Sequence, residues 1–271
     1  MRRSFISIAG IFIAGAGLLV AQEPVQQPQP QTLQQQAAPP TNPAAAQLPA
    51  PAHVGPVIVL DPAHGGTDTG ARGAGGSVEK DVVLGFARTT RGELERQGLR
   101  VVMTRNDDSN PSYDDRAAIA NAYRDAIFIT IHVSSTGTFS TARAYYYRFP
   151  SALAEGSGSS VSPLTIWEDA QRPYVDPSHR LADAIQVQLA QRFTGSPAIS
   201  TSVAVRELRS VAEPAIAVEI SSVSVTDPNS LAQLAAPLAA SIARGIAVFQ
   251  PPITTRANPP VTAPVPAPGE K

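Results

Sequence analysis

Four side chains spread widely along this chain have the types needed for hydrolysis: His64, Glu79, His132 and Glu219. Three of them follow apolar runs, with 57–61 leading to His64, 127–131 to His132 and 215–218 to Glu219. Short runs of this kind are the pattern of strands buried on both faces. In open α/β sheets ligands bind outside the carboxyl ends of parallel strands, so three such ends can converge on one crevice. Taken singly, each residue also has an ordinary structural reading. Glu79 follows a Gly-rich loop, 70–77, and opens a helix, where the helix dipole alone accounts for an acid. His132 reads equally well as a structural histidine, and His64 stands beside glycines that let backbone approach closely. Together, two imidazoles and one carboxylate leave a tetrahedral zinc with an open position for water, as hydrolytic sites require. Glu219 ends a very apolar strand, where an unpaired carboxylate is costly. Beside a metal it gains a task, because it can take a proton from water and return it.

The elements that must position these groups alternate along the chain. A strand at 57–60, a helix at 80–97 closed by the C-cap Gly98, and a strand at 99–104 make a βαβ unit. A helix at 113–124 leads into a strand at 126–131, and 142–149 is a further strand. Then come a helix at 177–193, strands at 202–208 and 214–218, and a closing helix at 229–249. Alternation predicts an α/β fold, a mainly parallel twisted sheet with helices on both faces. The core, 56–250, has the length of a single domain.

Composition limits the surroundings. Lys+Arg 21 against Asp+Glu 22 gives a net charge of -1, which offers no field for gripping nucleic acid. Cysteine is absent, so any metal rests on His and carboxylate, and no lipid-modified cysteine follows the signal. Residues 1–21 read as an export signal, with Arg2 and Arg3 before an apolar stretch and Ala21 as the cleavage point. Arg2-Arg3-Ser4-Phe5-Ile6 also resembles a twin-arginine signal. The apolar stretch is short and glycine-rich for a membrane span, so no stable insertion is expected after cleavage, and the mature chain belongs in the periplasm or cell envelope. Segments 22–55 and 251–271 are Pro-rich tails whose composition does not form a core; His53 in the first is a solvated side chain.

An ordered set of motifs now carries a resemblance. Ile58-Val59-Leu60-Asp61-Pro62-Ala63-His64-Gly65-Gly66 comes first, then Glu79-Lys80-Asp81-Val82-Val83-Leu84 and Val102-Met103-Thr104-Arg105. Arg116-Ala117-Ala118-Ile119-Ala120-Asn121, Ile131-His132 and Pro214-Ala215-Ile216-Ala217-Val218-Glu219 follow. The chain resembles the zinc-dependent N-acetylmuramoyl-L-alanine amidases of the bacterial cell wall, the family that includes the cell-division amidases. The resemblance implies His64, Glu79 and His132 as zinc ligands and Glu219 as the catalytic carboxylate. The substrate it implies is peptidoglycan, cut between the lactyl group of N-acetylmuramic acid and L-alanine. It also implies that the Gly/Ser-rich segment 150–176, which carries Trp167 and Tyr174, is a lid opened by an activator protein; from its residues alone the segment reads equally as a surface excursion.

The sequence departs from the family at Ala63, where Gly is usual, and at Val133-Ser134, where Ala-Asn or Ala-Asp is usual. It departs again at Ile220-Ser221-Ser222-Val223-Ser224, in place of Gly-Phe and then Ser-Asn. None is a ligand, but neighbours orient ligands, so an inactive wall-binding domain or a zinc peptidase cutting another stem-peptide amide remain alternatives. His179 reads as a surface or capping residue, and Arg105 and Arg116 as scaffold ion-pair residues. Asp61 is either an acceptor for His64 or a turn former. Tyr145, Tyr146 and Tyr147 must point alternately to opposite faces of their strand.

Overall fold

The structure, a computed structural model, describes residues 55–150 and 167–249. Six strands form one sheet in the order β2-β1-β3-β6-β4-β5. They are β1 (Val57–Pro62), β2 (Arg100–Met103), β3 (Ile127–Val133), β4 (Thr141–Tyr147), β5 (Thr201–Val203) and β6 (Ala215–Ser221). Four of the five pairings are parallel, and β4 runs antiparallel to β6. The expected mainly parallel sheet is therefore present, with β4 and β5, parallel to each other, running opposite to the other four strands.

Alternation along the strands sorts side chains between two layers. Ile127, Ile129, Ile131 and Val133 of β3, with Ile216, Val218 and Ile220 of β6, form the larger apolar layer. Helices α1 (Glu79–Arg96), α3 (Val175–Arg192) and α6 (Ala235–Val248) supply its other half through Phe86, Leu94, Leu181, Ile185 and Ile242. Phe128, Ala215 and Ala217 point the other way, against Ala117 and Ala120 of α2 (Tyr113–Asn121) and Leu208 of α4 (Arg206–Arg209). The same alternation carries Thr130 and His132, and likewise Glu219, onto that second face. Helix α2 starts on a capping box in which Ser112 Oγ accepts from the Asp115 backbone N–H and Asp115 answers at Ser112 N–H.

Three sequence expectations need correction. The strand expected over 202–208 stops at Val203; alternating Val203 and Val205 imitates a strand, but Leu208 N–H turns back onto the Val205 carbonyl at 3.3 Å and its side chain is buried under the sheet. The closing helix is two pieces, α5 (Pro228–Ala232) and α6. Pro237 lacks the N–H that would bond the Gln233 carbonyl, so the helix restarts with the proline in its first turn. In the expected loop 150–176, residues 151–166 lie outside the described residues, whereas Trp167–Asp169 and Arg172–Tyr174 are 3-10 turns. They are pinned by the buried amide of Gln171, which donates to the carbonyls of Val211 at 2.8 Å and Glu213 at 2.9 Å and accepts from Ser178 Oγ at 2.9 Å. Trp167 remains 45% exposed, its indole N–H directed at Asp114.

Candidate metal centre

The loop that carries His64 is built on buried charge. Asp61, fully buried, accepts from Thr104 Oγ1 and from the Arg116 guanidinium, which also donates to the carbonyls of Pro62 and His64. Arg105 binds the carbonyls of Pro62, Ala63 and Lys80. Removing one partner of such a pair leaves an uncompensated charge and costs about 3–5 kcal/mol. Asp61 is therefore part of the scaffold and does not orient His64. Both arginines are scaffold residues, as their place in sequence suggested.

That scaffold holds His64 at φ 62, a left-handed conformation that costs a non-glycine residue of order 1 kcal/mol and is typical of functional sites. In this conformation the ring faces Glu79. His64 Nε2 stands 3.1 Å from Glu79 Oε2, and His132 Nδ1 stands 3.1 Å from Glu79 Oε1. All three donor atoms lie within 4.8 Å of one another. Neighbouring donors on one tetrahedral zinc, with bonds of about 2.0 Å, stand about 3.3 Å apart. The set fits a zinc ion in chemical type, and the approach of each imidazole to a Glu79 oxygen is close to that spacing.

The outer nitrogens are also provided for. His64 Nδ1 meets Asp68 Oδ2 at 2.9 Å, four residues along the chain. His132 Nε2 faces Thr130 Oγ1 at 3.4 Å and Glu207 Oε1 at 3.8 Å. Carboxylates behind ligating histidines fix the ring orientation. Glu79 is held as well, accepting from the backbone N–H groups of Ala71 at 2.8 Å and Val133 at 2.9 Å. Sequence reasoning did not find Asp68 or Glu207. The spacing His-x-x-x-Asp was a signal for Asp68; nothing local marked Glu207, which reaches the site only because α4 folds under β4 and β6.

Charge follows this geometry. The hydrogen bond to Glu79 raises His64 to about 9 against the opposing effect of burial, with Asp68 adding to the rise. Burial pushes Glu79 up, but hydrogen bonds from His132, His64 and two backbone amides outweigh it and hold the carboxyl well below the usual range. Without a metal, a protonated His64 thus stands beside an ionised Glu79.

Glu219 stands one strand away, in register with His132 and on the same face. Tyr145 donates its hydroxyl to Glu219 Oε1 at 3.2 Å. Burial, and then the Glu219 charge, push the Tyr145 pKa upward, so the phenol remains a donor. The neighbouring tyrosines are structural: Tyr146 stacks on His179 at 4.3 Å on the opposite face, and Tyr147 packs edge-on against Phe149. His179 also pairs with Asp183, so it belongs to packing between α3 and the sheet. A cleft of about 320 Å³ opens beside His64, with Asp68, Tyr113, Asn110 and Glu207 on its walls.

Residues 58–248 match the family model described as N-acetylmuramoyl-L-alanine amidase. The chain belongs to this family. Among curated relatives it is 48% identical over 130 residues to the N-acetylmuramoyl-L-alanine amidase AmiC of Neisseria meningitidis serogroup B, covering 48% of this chain and 28% of that protein. It is 45% identical over 76 residues to the amidase AmiA of Escherichia coli K12, covering 28% of this chain and 26% of that protein. The matched stretches thus span about a quarter of each relative. Among solved structures, the amidase AmiC2 of Nostoc punctiforme superposes with a TM-score of 0.54 at 27% identity, over 71% of this chain and 95% of that one. The amidase fold accordingly covers the region from β1 to α6, and the His–Glu–His cluster lies inside it.

Proposed function

We propose that this chain is a zinc-dependent, exported hydrolase that cuts the amide between N-acetylmuramic acid and L-alanine in peptidoglycan. The observation that carries the reading is the convergence of His64, Glu79 and His132 donors, 3.1 Å apart pairwise at Glu79, beside Glu219 in a chain of this family. His64 Nε2, His132 Nδ1 and a Glu79 oxygen would hold the ion. Zinc there would supply a Lewis acid that polarises the scissile carbonyl and acidifies water. Glu219 receives the proton of the attacking water and delivers it to the departing amine of L-alanine. Tyr145 positions the Glu219 carboxylate through its hydroxyl. Asp68 orients the His64 imidazole from behind, and the Glu207 carboxylate lies 3.8 Å behind His132. Residues 1–21 direct export, and an activator acting on 150–176 belongs to the same proposal, supported by the family resemblance.

Mass analysis of muropeptides after digestion tests this directly. The expected products are peptides beginning with a free L-alanine amine and glycan retaining its lactyl acid. Cleavage at another stem-peptide amide would make the protein a peptidase, and zinc-loaded protein that binds wall but cuts nothing would make it a binding domain.

Gly70 offers a second test of the centre. At φ +61 it packs so closely that a Cβ there would lie 2.5 Å from Glu79 Oε2 and 2.6 Å from His64 Cδ2. Gly70→Ala must therefore push two ligands apart. Zinc affinity measured by chelator competition should fall about 10–100-fold, the range seen when ligand support is lost. Wild-type affinity in that variant would show that the ligands have room this structure does not give them.

A further inference from the structure

Arg143 has no part in the chemistry above, yet it stands directly beside it. The β4–β6 register sets Arg143 opposite Glu219 and Thr141 opposite Ser221. Ala142 and Ala144 are buried in the larger layer, so alternation sends Arg143 and Tyr145 to the Glu219 face. There a cleft of about 230 Å³ is walled by Arg143, Tyr145, Glu219, Ser134, Thr136 and Ser221. Among the described residues lining it, Arg143 is the only cation.

Strand order places this cleft on the far side of Glu219 from the larger one. Across the sheet run β1 with His64, β3 with His132, β6 with Glu219 and β4 with Arg143. The two clefts differ in charge. The larger carries the Asp68 and Glu207 carboxylates, and its one guanidinium, that of Arg116, is buried and committed to Asp61 and backbone carbonyls. The smaller sets an exposed guanidinium beside the Glu219 carboxylate, among the hydroxyls of Ser134, Thr136, Tyr145 and Ser221, and no ion pair commits that guanidinium to Glu219. A guanidinium carries five N–H donors in a fork that matches a carboxylate, so contact with the Tyr145 hydroxyl leaves donors for a ligand.

We propose that the Arg143 cleft is a subsite for a carboxylate on the peptide side of the substrate. Peptide then lies over β6 and β4, and sugar lies toward β1 and the larger cleft. The assignment rests on the hydrolase reading and refines its substrate. Opposed residues in an antiparallel pair stand about 5 Å apart at Cα, so Arg143 reaches a group one residue beyond the bond that Glu219 serves. In the peptidoglycan stem that residue is joined to L-alanine through its amine and to the next residue through its side-chain carboxyl. Its α-carboxyl is left free or is amidated. Arg143 favours the free form.

The test uses the full chain loaded with zinc and two soluble muramoyl-peptides that differ only in whether that α-carboxyl is free or amidated. Wild-type protein should prefer the free acid by roughly tenfold in kcat/KM, mostly through KM, the scale of one charge-assisted hydrogen bond. Arg143→Gln should bring the ratio close to one, and Arg143→Lys should restore part of it, with zinc content unchanged in both. A wild-type ratio near one overturns the subsite, as does an Arg143→Gln variant that loses equally on both substrates. Calorimetric titration with the free-acid and amidated product peptides separates this from failure of the hydrolase reading. If neither substrate is cut, wild-type protein that still selects the free-acid peptide keeps the subsite, and equal or absent binding removes it.

Discussion

Glu219→Gln should retain its zinc and lose roughly 10²-fold or more in kcat, the scale of a missing general acid–base group. The substitution keeps shape and the ability to accept from the Tyr145 hydroxyl, which stands 3.2 Å away in the wild type. Packing and the position of the side chain therefore change little, while the capacity to hold a proton is gone. Glu219 is also spatially separate from the ligand set. It lies in register with His132 on the adjoining strand, whereas Glu79 alone makes the 3.1 Å approaches to both imidazoles. Tyr145→Phe should show a smaller loss of the same kind, because it removes only the hydrogen bond that aims the carboxylate. The measurements are steady-state rates on a soluble muramoyl-peptide and zinc per chain by elemental analysis. Wild-type rates in Glu219→Gln would remove this residue from the mechanism, and loss of zinc would make it a ligand.

What was legible in the sequence was whatever depends on strand ends. Buried parallel strands announce themselves as apolar runs, so His64, His132 and Glu219 could be placed near the carboxyl ends of three strands without coordinates, although β3 runs on to Val133 and β6 to Ser221, past the ends expected at 131 and 218. Glu79 was legible as a helix start, and the structure shows why an ordinary-looking first-turn acid is more than a cap: it is buried and bonded to two histidines. Features set by chain crossing were not legible. Glu207 sits in a stretch whose alternating valines imitate a strand, and its approach to His132 exists only because Leu208 turns under the sheet. Asp61 stood at a strand end like the others, but a buried arginine 55 residues away claims it. The departures after His132 and after Glu219 looked independent in sequence, yet they meet in space. Ser134 Oγ is 3.0 Å from Ser221 Oγ, the Val223 N–H donates to the Ser134 carbonyl at 2.9 Å, and Ser224 Oγ donates to the Ser135 carbonyl at 2.7 Å. A changed pair of loops that bond to each other keeps the wall of the site intact while altering its lining.

Removal of either histidine should abolish stoichiometric zinc. Purified wild-type protein should carry about one zinc per chain, and His64→Ala and His132→Ala should each carry far less, because three protein donors are the minimum of a catalytic zinc site. Stability gives an independent readout. A ligand that binds only the folded state stabilises it by about 4 kcal/mol when present at roughly a thousand times its Kd, so a chelator should lower the melting temperature of wild-type protein and leave the variants unmoved. The chelated protein should nevertheless stay folded, since a protonated His64 can pair with the ionised Glu79. His64, raised from 6.5 to about 9 chiefly by its hydrogen bond to Glu79, is protonated at neutral pH in that state. A raised folded-state pKa contributes stability that is complete below the unfolded value and disappears as pH rises through the folded one. The metal-free protein should therefore lose stability between about pH 6.5 and 9, while zinc, which binds only the deprotonated imidazole, should bind more tightly over the same interval. Denaturant titrations of chelated protein at several pH values, paired with zinc competition at each, measure both slopes. Unchanged zinc in both histidine variants, or a metal-free protein whose stability rises over that interval, would show that His64, Glu79 and His132 do not act as one cation site.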